Sequence, residues 1–218
     1  NLQTHYATNN TLGLTAAGNI VGKKIALELF GNRYSSNGYD LDKSIYGKTE
    51  DPFIDYSCSA RLTYNINDKN KFTLSSRFFT ETQFNNYLIY PQTEPEVVKG
   101  TTVETDESLV AQLQHKINKK VSYIGSIYAT SYTNNASVFL QKNDSLYETI
   151  NLSDLLVRPE LQVNVGKNPA SLFVTGAGYN MENVSSTRYS SVSDLNSWYL
   201  FAQKQFQWKE RTNIIAGA

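Results

Sequence analysis

Cysteine and histidine are scarce in this 218-residue chain, which has one cysteine, Cys58, and two histidines. A single thiol excludes an internal disulfide framework and any site built from several thiolates, and two histidines leave little for a zinc site. Charge of one sign is also lacking, because 20 basic and 20 acidic residues give a formal net charge of zero. That balance gives no support to the binding of nucleic acid or another polyanion.

Long apolar runs are missing as well. No stretch approaches the roughly 18 to 20 consecutive apolar residues of a transmembrane helix, and the first residues show no basic segment followed by an apolar one. We therefore expect neither a helical anchor nor a signal peptide in this sequence. The mean hydropathy of −0.43 resembles that of a soluble protein, but averaging conceals strict alternation between an apolar and a polar face.

Aromatic and uncharged polar residues are abundant instead. Tyr, Phe and Trp make up 12% of the chain, Asn, Ser and Thr together number 62, and charged residues are 18% against a usual figure of about 25%. Aromatic and β-branched residues favour strands, so this composition is typical of a β-rich protein.

A period of two runs without exception through residues 54–66. One side carries Tyr56, Cys58, Ala60, Leu62, Tyr64 and Ile66. The other carries Asp55, Ser57, Ser59, Arg61, Thr63 and Asn65. A polar turn at 67–70 and a second alternating stretch follow, which together predict a tight hairpin.

Two other segments need a decision. Residues 105–117 fit helical and strand spacing equally well, and we predict a strand because a short turn and the β-branched and aromatic residues of 121–132 follow. Pro159 interrupts an alternating stretch at 157–165, and since proline cannot donate to a strand ladder it should mark a bulge or an unpaired position.

The whole chain is predicted to form about ten strands, most of them about twice the usual five or six residues. They are 8–17, 24–35, 54–66, 71–83, 105–117, 121–133, 154–165, 171–183, 196–207 and 212–218. Short connections alternate with long ones at 36–53, 84–104, 134–153 and 184–195. Short turns on one rim and long loops on the other are typical of an outer-membrane barrel.

A strand that spans a bilayer needs about 9 to 11 residues, and spanning strands must close into a cylinder because lipid leaves no partner for a free edge. Arg or Lys facing mid-bilayer lipid costs roughly 2 to 4 kcal/mol. Arg61, Arg77 and Arg158 all lie opposite the aliphatic set, so the polar side should face the lumen. Aromatic residues near strand ends suit the membrane interfaces; they are Tyr64, Phe72, Phe78, Tyr123, Trp198 and Trp208.

Several short motifs, in this order and spacing, resemble the barrel domain of TonB-dependent outer-membrane receptors. At the end of the chain, residues 199–203 (YLFAQ), a short turn and residues 213–218 (NIIAGA) resemble the family's aromatic-x-Gln strand, tight turn and strand ending in Gly-x-Arg-x-Asp. Residues 37–40 (NGYD), 61–74 and 176–179 (GAGY) are also similar. The likeness spans nearly the whole chain.

The resemblance implies a 22-strand transmembrane β-barrel with short periplasmic turns and long extracellular loops, filled by an N-terminal plug. Such receptors import scarce nutrients such as iron chelates, cobalamin or glycans with energy from TonB. Residues 1–218 would be one partial barrel domain, an internal fragment without plug, TonB-contacting segment or remaining strands. Its expected location is the bacterial outer membrane. Its expected partners are membrane lipid, its own plug, TonB and a small nutrient, without nucleic acid.

The segment from Phe84 to Glu104 is the predicted ligand-binding loop, because it combines flat aromatic surface with hydrogen-bonding groups. The candidate residues are Asn85, Asn86, Tyr87, Tyr90, Gln92 and Glu94. A second set should face the lumen and line the route or hold the plug through charge-assisted bonds. It comprises Arg61, Arg77, Glu81, Gln112, Arg158, Glu160 and Gln203.

No enzymatic activity, cofactor or metal is expected. Cys58 lies on the apolar side, where a thiol is poorly ionised, and His5 and His115 have no acidic or histidine neighbours suited to a catalytic or metal site. Two alternatives remain open. A small complete outer-membrane barrel is one, with a hydrolase as its enzymatic form. A soluble extracellular β-sandwich that binds carbohydrate or protein is the other, and it requires the aliphatic side chains to meet a second packed sheet.

Overall fold

The structure, a computed structural model, describes residues 1–44, 46–90, 94–166, 171–189, 192–208 and 212–217. These residues form antiparallel strands and contain no α-helix. The strands are β1 (Leu2–Ala7), β2 (Thr11–Val21), β3 (Ile25–Ser36), β4 (Phe53–Asn65), β5 (Asn70–Ile89), β6 (Glu96–Lys116), β7 (Val121–Leu140), β8 (Leu146–Val165), β9 (Phe173–Ser186), β10 (Ser193–Trp208) and β11 (Thr212–Gly217). Each pairs with the next along the chain, in one sheet with β1 and β11 at its edges. The all-β antiparallel prediction is confirmed.

The described part of the chain has no helix of the length and apolarity needed to cross a bilayer.

The strand count is eleven rather than ten, because residues 2–17 were predicted to contain a single strand. In the structure, Asn9 and Asn10 have φ values of 60° and 53°, and the Thr11 amide donates to the Thr8 carbonyl at 3.2 Å. Positive φ at both central residues produces the tight turn whose twist matches a hairpin, and asparagine tolerates that conformation. The Asn9-Asn10 pair was the sequence signal for this extra hairpin.

The prediction of long loops is wrong at three of its four places. Residues 84–104, 134–153 and 184–195 mostly extend the flanking strands, which leaves connections of only 90–95, 141–145 and 187–192. As a result β5, β6, β7 and β8 have 20, 21, 20 and 20 residues. Only the connection at 37–52 stays long. The ambiguous segment 105–117 lies within β6, apart from its last residue, as a strand.

Two short turns, at the rim opposite the 37–52 connection, are closed by the same kind of hydrogen bond. The Asn67 side-chain oxygen accepts from the amides of Lys69 and Asn70 at 3.0 and 2.9 Å. Asn118 accepts from the two corresponding amides at 2.8 and 3.0 Å. An asparagine that binds backbone two or three residues ahead closes the turn by itself, so these two hairpins are specified locally.

The register separates the sheet into an apolar face, which carries Tyr56, Cys58 and Leu62 on β4, and a polar face, which carries Arg61. Rows of directly paired residues run across the strands. Three successive rows on the apolar face form what we call the apolar band. The first contains Leu29, Ala60, Ser76, Leu109, Ala129, Val157 and Met181; the second Leu27, Leu62, Leu74, Ala111, Ile127 and Pro159; the third Ile25, Tyr64, Phe72, Leu113, Gly125, Leu161, Ala177 and Leu200. The predicted alternation is confirmed here.

No second layer of the described chain covers the apolar band. Leu200 is 82% exposed, Ile127 54% and Leu161 54%, and all eleven strands belong to the same sheet. Large aliphatic side chains in a folded sandwich would be buried against a facing sheet. The packing that the sandwich alternative requires is therefore not found.

A row of hydroxyl groups lies close to one edge of the apolar band. It contains Tyr56, Thr80, Thr105, Thr133, Ser153 and Ser185, one from each of six neighbouring strands. Between the band and this row lies a mixed row in which Phe78 and Leu155 stand beside Glu107. We call the parts of β5 to β8 beyond the hydroxyl row the extension. Two valines in the extension, Val98 and Val138, are the buried hydrophobic residues of the described chain.

Pro159 causes a local gap in strand pairing. Strand β8 pairs with β9 at Val157–Met181 and again at Glu160–Gly178, in the same register, while residues 158 and 159 have no partner on β9. Because proline lacks the amide hydrogen that the ladder needs, the predicted unpaired position is confirmed.

Candidate functional site

The polar face is the candidate site, because it holds every side chain of the predicted lumen-facing set. Residues of this set on the same strand are an even number of positions apart, so they lie on one side of that strand. Direct cross-strand pairs, such as Gln112–Ser126 and Ser126–Glu160, show that this is the same side on neighbouring strands. The members are Arg61, Arg77, Glu81, Gln112, Arg158, Glu160 and Gln203. Five of them are exposed, and Glu81 and Glu160 are half-buried.

Tyr199 and Glu160 form the best-defined contact on this face. They lie on β10 and β8, and Gly178 on β9 is paired directly with both. The Tyr199 hydroxyl donates to a Glu160 carboxylate oxygen at 2.6 Å. A Cβ on Gly178 would overlap the Tyr199 ring. The glycine therefore leaves the space through which the tyrosine reaches across one strand to the next.

A second glycine repeats this arrangement two residues away. Gly176 pairs with Phe201, and a Cβ on Gly176 would overlap the Phe201 ring. An aromatic ring lying over a cross-strand glycine fills the missing side chain and fixes the strand register. The motif at 176–179 and the aromatic residues at 199–201 thus belong to one packing unit that the register assembles.

Two arginines of the polar face, Arg61 and Arg158, lie close to uncharged side chains. The Arg158 guanidinium carbon is 5.2 Å from the centre of the Tyr128 ring, and Arg61 donates to the Ser75 hydroxyl at 3.3 Å. Tyr128 and Arg158 are direct cross-strand neighbours, so the ring supports the cation by a cation–π contact. These guanidinium groups keep free donors for an acceptor above the sheet.

Nearer the extension, the polar face carries an acidic row that the sequence analysis did not recognise as a group. Five carboxylates occupy two adjacent rows between β4 and β8, with two on β6 and none on β7. They are Asp55, Glu81, Glu104, Asp106 and Asp154. Only Glu81 was among the predicted residues. Their sequence separations reach 99 positions, so only the strand register could have brought them together.

The acidic row is partly satisfied by its neighbours. Arg77 donates to Asp106 at 2.9 Å. Glu104 accepts from the Tyr132 hydroxyl at 3.1 Å and from the Asn134 amide at 2.7 Å. One Asp154 oxygen is buried without a hydrogen-bond partner among the described residues. Among the described residues only one of the five carboxylates is in an ion pair, so the row is a region of negative potential.

The described residues contain no group of three His, Cys, Asp or Glu side chains placed to hold a metal ion.

The predicted ligand-binding residues are separated by the structure. Asn85, Asn86 and Tyr87 belong to β5 rather than to a loop, and alternation places Asn86 on the opposite face from its neighbours. Tyr90, which is 68% exposed, and Glu94, also exposed, lie in the connection 90–95. Gln92 lies outside the described residues.

The long connection at 37–52 contacts this same hairpin. A Cβ on Gly47, which has a φ of 108°, would lie 2.8 Å from the Asn86 carbonyl oxygen. The Tyr46 hydroxyl is 3.5 Å from the Gln141 side chain of the neighbouring hairpin. At the base of the connection, burial raises the pKa of Asp51 above its usual value, and the nearby Glu50 raises it further. The extension and the 37–52 connection therefore form a joint surface at this rim.

Cys58 and the two histidines lie on three different strands, in three different rows of the sheet. Cys58 is exposed on the apolar face. His115 Nδ1 lies 2.6 Å from the Asn70 side-chain oxygen, and its ring packs on Tyr123 at 5.0 Å. His5 is exposed on the edge strand β1.

Comparisons with known proteins find a similarity in fold to solved structures. No protein-family model matches the chain, and no curated protein matches it. Among solved structures, the chain is similar in fold to BauA, the ferric preacinetobactin receptor from Acinetobacter baumannii, with a TM-score of 0.68 and 8% sequence identity. The match covers 99% of this chain and 41% of that chain, so this chain spans less than half of the receptor's length. The eleven-stranded sheet therefore shares its fold with part of that receptor's chain.

Proposed function

We propose that this chain is a sector of the wall of an outer-membrane receptor, a plugged 22-strand barrel that takes up a scarce nutrient with energy from TonB. The nutrient belongs to the iron chelate, cobalamin or glycan class, and no catalytic step is involved. The observation that carries the proposal is the uncovered apolar band on one face of a single long sheet. Likeness to a receptor barrel in fold supports the same conclusion.

The band has the dimensions that a bilayer requires. On β7, the nine residues from Tyr123 to Ser131 cross the three rows of the band, the mixed row on one side and the row of Tyr123 on the other. Their eight steps of 3.4 Å span about 27 Å. A tilted strand needs about 9 to 11 residues to cross the hydrocarbon. Lipid would then cover Leu62, Ile127 and Leu200, while Arg61 and Arg158 face the lumen and avoid the cost of charge in lipid.

The polar face would hold the plug and line the route. The free donors of Arg61 and Arg158 suit carbonyl or carboxylate groups of a plug, and the Tyr199–Glu160 contact keeps the wall beneath it in register. The acidic row disfavours an anionic ligand through like-charge repulsion. Within the proposed class, this row supports a neutral or cationic nutrient.

Membrane insertion is tested by a cysteine scan of the full-length protein in lipid vesicles. Single cysteines at positions 60 to 65, in a Cys58→Ser background, should be quenched by lipid-bound probes most strongly at 60, 62 and 64. The same scan at positions 134 to 137, in the extension, should show aqueous labelling at every position. Uniform aqueous labelling at 60 to 65 would reject insertion.

Transport is tested separately by uptake into cells. Labelled ferric chelates, cobalamin and oligosaccharides should be compared in matched hosts with and without functional TonB. Accumulation of one of these probes only in the host with TonB supports the proposal. Equal accumulation in both hosts would contradict energy coupling, even if the protein is inserted in the membrane.

A further inference from the structure

The face that carries the apolar band continues beyond it as an uncharged, mostly polar surface. On β4 to β8, the hydroxyl row and the next two rows toward the extension tips lie on the same side as Leu62 and Ile127. We call these three rows the outer rows. The first contains Tyr56, Thr80, Thr105, Thr133 and Ser153; the second Ile54, Thr82, Val103, Asn135 and Asn151; the third Phe84, Thr101, Ser137 and Thr149. None of these side chains is buried.

The two faces of this stretch differ in charge. The fourteen residues of the outer rows include no Asp, Glu, Lys or Arg, whereas the polar face of the same stretch carries the five carboxylates of the acidic row. At the chain's own charged fraction of 18%, fourteen positions would hold about two or three charges. On the side of the outer rows, Glu107 lies one row toward the band, and Asp144, in the connection at the tip, is paired with Lys99. Sorting of carboxylates to one side indicates that the other side faces negative charge.

Arg33 extends the hydroxyl row onto β3, where it pairs directly with Tyr56. Its Nε donates to the Tyr56 hydroxyl at 3.4 Å, and its Nη1 donates to the Ser35 hydroxyl at 3.1 Å. The guanidinium carbon lies 5.8 Å from the centre of the Tyr56 ring. None of the salt bridges among the described residues includes Arg33. A guanidinium has five N–H donors, so this cation is held in place and keeps donors for a phosphate.

The outer rows begin at headgroup depth if lipid covers the band. On β6, the mixed-row residue Glu107 is followed outward by Thr105 in the first outer row and Thr101 in the third. Six residues at 3.4 Å span about 20 Å along the strand, or about 14 Å along the membrane normal at a tilt near 45°. The headgroup layer of a phospholipid leaflet is only about 5 to 8 Å thick. A headgroup that reaches the third row is therefore larger, as one built from several sugars is.

We propose that Arg33 and the outer rows bind the headgroup of a phosphorylated glycolipid in the leaflet on the extension side. The inference rests on the membrane placement proposed above. Arg33 pairs with a phosphate, and the hydroxyl and amide side chains bind sugar hydroxyls, because both kinds of group donate and accept. Thr80 and Thr105, whose hydroxyl oxygens are 3.3 Å apart, begin such a ladder within the protein. An anionic headgroup also accounts for the lack of carboxylates on these rows.

The test measures which lipids the full-length protein retains. The protein is reconstituted in phosphatidylcholine vesicles with equal minor shares of lipopolysaccharide, phosphatidylglycerol and digalactosyldiacylglycerol, which offer phosphate with sugar, phosphate alone and sugar alone. After gentle extraction, bound lipids are quantified by mass spectrometry. Wild type should enrich lipopolysaccharide over the other two, and Arg33→Gln should lower that enrichment roughly threefold or more. The matched control Arg188→Gln, at an exposed position in the connection between β9 and β10, should leave it unchanged.

A second variant tests the sugar contacts independently, including the case in which Arg33→Gln does not fold. Thr101→Val, Ser137→Ala and Thr149→Val together remove three directly paired hydroxyls of the third outer row. Lipopolysaccharide enrichment should fall roughly twofold or more, while retention of phosphatidylglycerol should not change.

The matched control for this variant combines Thr63→Val, Thr73→Val and Ser108→Ala, which removes the same groups from the polar face. It should retain lipopolysaccharide as wild type does. Equal enrichment in wild type and Arg33→Gln would overturn the proposal, as would equal losses in the third-row variant and its control. Phosphatidylglycerol retention that depends on Arg33 as strongly as lipopolysaccharide retention would overturn the glycolipid assignment. A second copy of the chain on this face would also overturn it, and would appear as an oligomer that the third-row variant dissociates without any change in bound lipid.

The outcomes also distinguish this proposal from the proposed function. A protein that does not enter vesicles contradicts both. A protein that enters them, but shows no preference for lipopolysaccharide, contradicts only the glycolipid site.

Discussion

The apolar band and the extension are built from the same four strands, β5 to β8, yet their sequences look entirely different. In the band, apolar and polar residues alternate along each strand. On β7, Ile127 and Ala129 lie on the apolar face, and Ser126 and Tyr128 lie on the polar face. In the extension the same strand continues through residues 134–140 with asparagine, serine and valine in no regular order. The backbone ladder is continuous through both regions.

The difference shows that alternation reports the surroundings of a strand rather than its existence. Where one face meets an apolar medium and the other meets water, the face on which a residue lies determines whether it must be apolar or polar. Where both faces meet water, pairing by backbone hydrogen bonds persists, and the side chains lose that constraint. The extension therefore requires no apolar face, and it buries only Val98 and Val138.

The strongest way to break this comparison is to place the same charge on the same side of one strand in each region. Ile127 and Asn135 lie on the same face of β7, eight residues apart. Ile127→Arg should destabilise the full-length protein by about 2 to 4 kcal/mol because the cation faces lipid, while Asn135→Arg should cost less than about 0.5 kcal/mol because it faces water. Urea unfolding from lipid vesicles measures both, and equal costs would contradict the assignment of the band to lipid.

A smaller effect is expected from filling space on the polar face within the band. Gly178→Ala should cost about 1 to 3 kcal/mol, because the new methyl group overlaps the Tyr199 ring. Gly125→Ala is the matched control, since a Cβ there has nothing within 4 Å. Unfolding midpoints give both values. Combining Gly178→Ala with Tyr199→Ala should cost less than the sum of the two, and strict additivity would contradict the contact.

Hydrogen bonds to carboxylates on the polar face sharpen the comparison further. Tyr199→Phe removes the donor that the structure shows for Glu160 and should destabilise by about 1 kcal/mol. Tyr132→Phe should cost about half as much, because Glu104 keeps the Asn134 amide as a donor. The two variants differ in one hydroxyl group each, so their unfolding free energies compare directly. A larger cost for Tyr132→Phe would contradict this account.

The smallest effect should come from the ion pairs at the tips of the extension. Lys142 pairs with Glu96, and its side chain is 60% exposed. Exposed pairs of this kind contribute about 0 to 1 kcal/mol, so Lys142→Gln should leave the unfolding free energy nearly unchanged. A double-mutant cycle with Glu96→Gln measures the coupling. A coupling well above 1 kcal/mol would show that the tips are more rigid than their exposure indicates.

Sequence reasoning recovered the strands wherever a band residue marked one face. A period of two assigns sides without any knowledge of neighbours, so sequence reasoning put all seven predicted lumen residues on one face of the sheet; that this face lines a lumen stays a prediction. It also recovered the pairing gap at Pro159, since the missing amide is a local property. It failed at residues 84–104, where Asn85 to Tyr87 were predicted as a binding loop, because asparagine-rich, non-alternating sequence looks like a loop even when its backbone is paired.

The acidic row shows the opposite limitation. Asp55 and Asp154 are far apart in the sequence, and nothing local indicates that they share a surface. The contact of Tyr199 with Glu160 over Gly178 depends likewise on the register of three strands. Such groupings have no signature in a single chain read in order.

By itself, the sequence determined which side of each band strand is apolar, where the short turns close, and that the protein is built from antiparallel strands. These properties depend on residues within a few positions of one another. The tertiary structure decided how far each strand continues, which carboxylates become neighbours, and that the apolar face remains uncovered by the described chain. Those properties depend on register and on the surroundings of the sheet, which backbone pairing between distant residues sets.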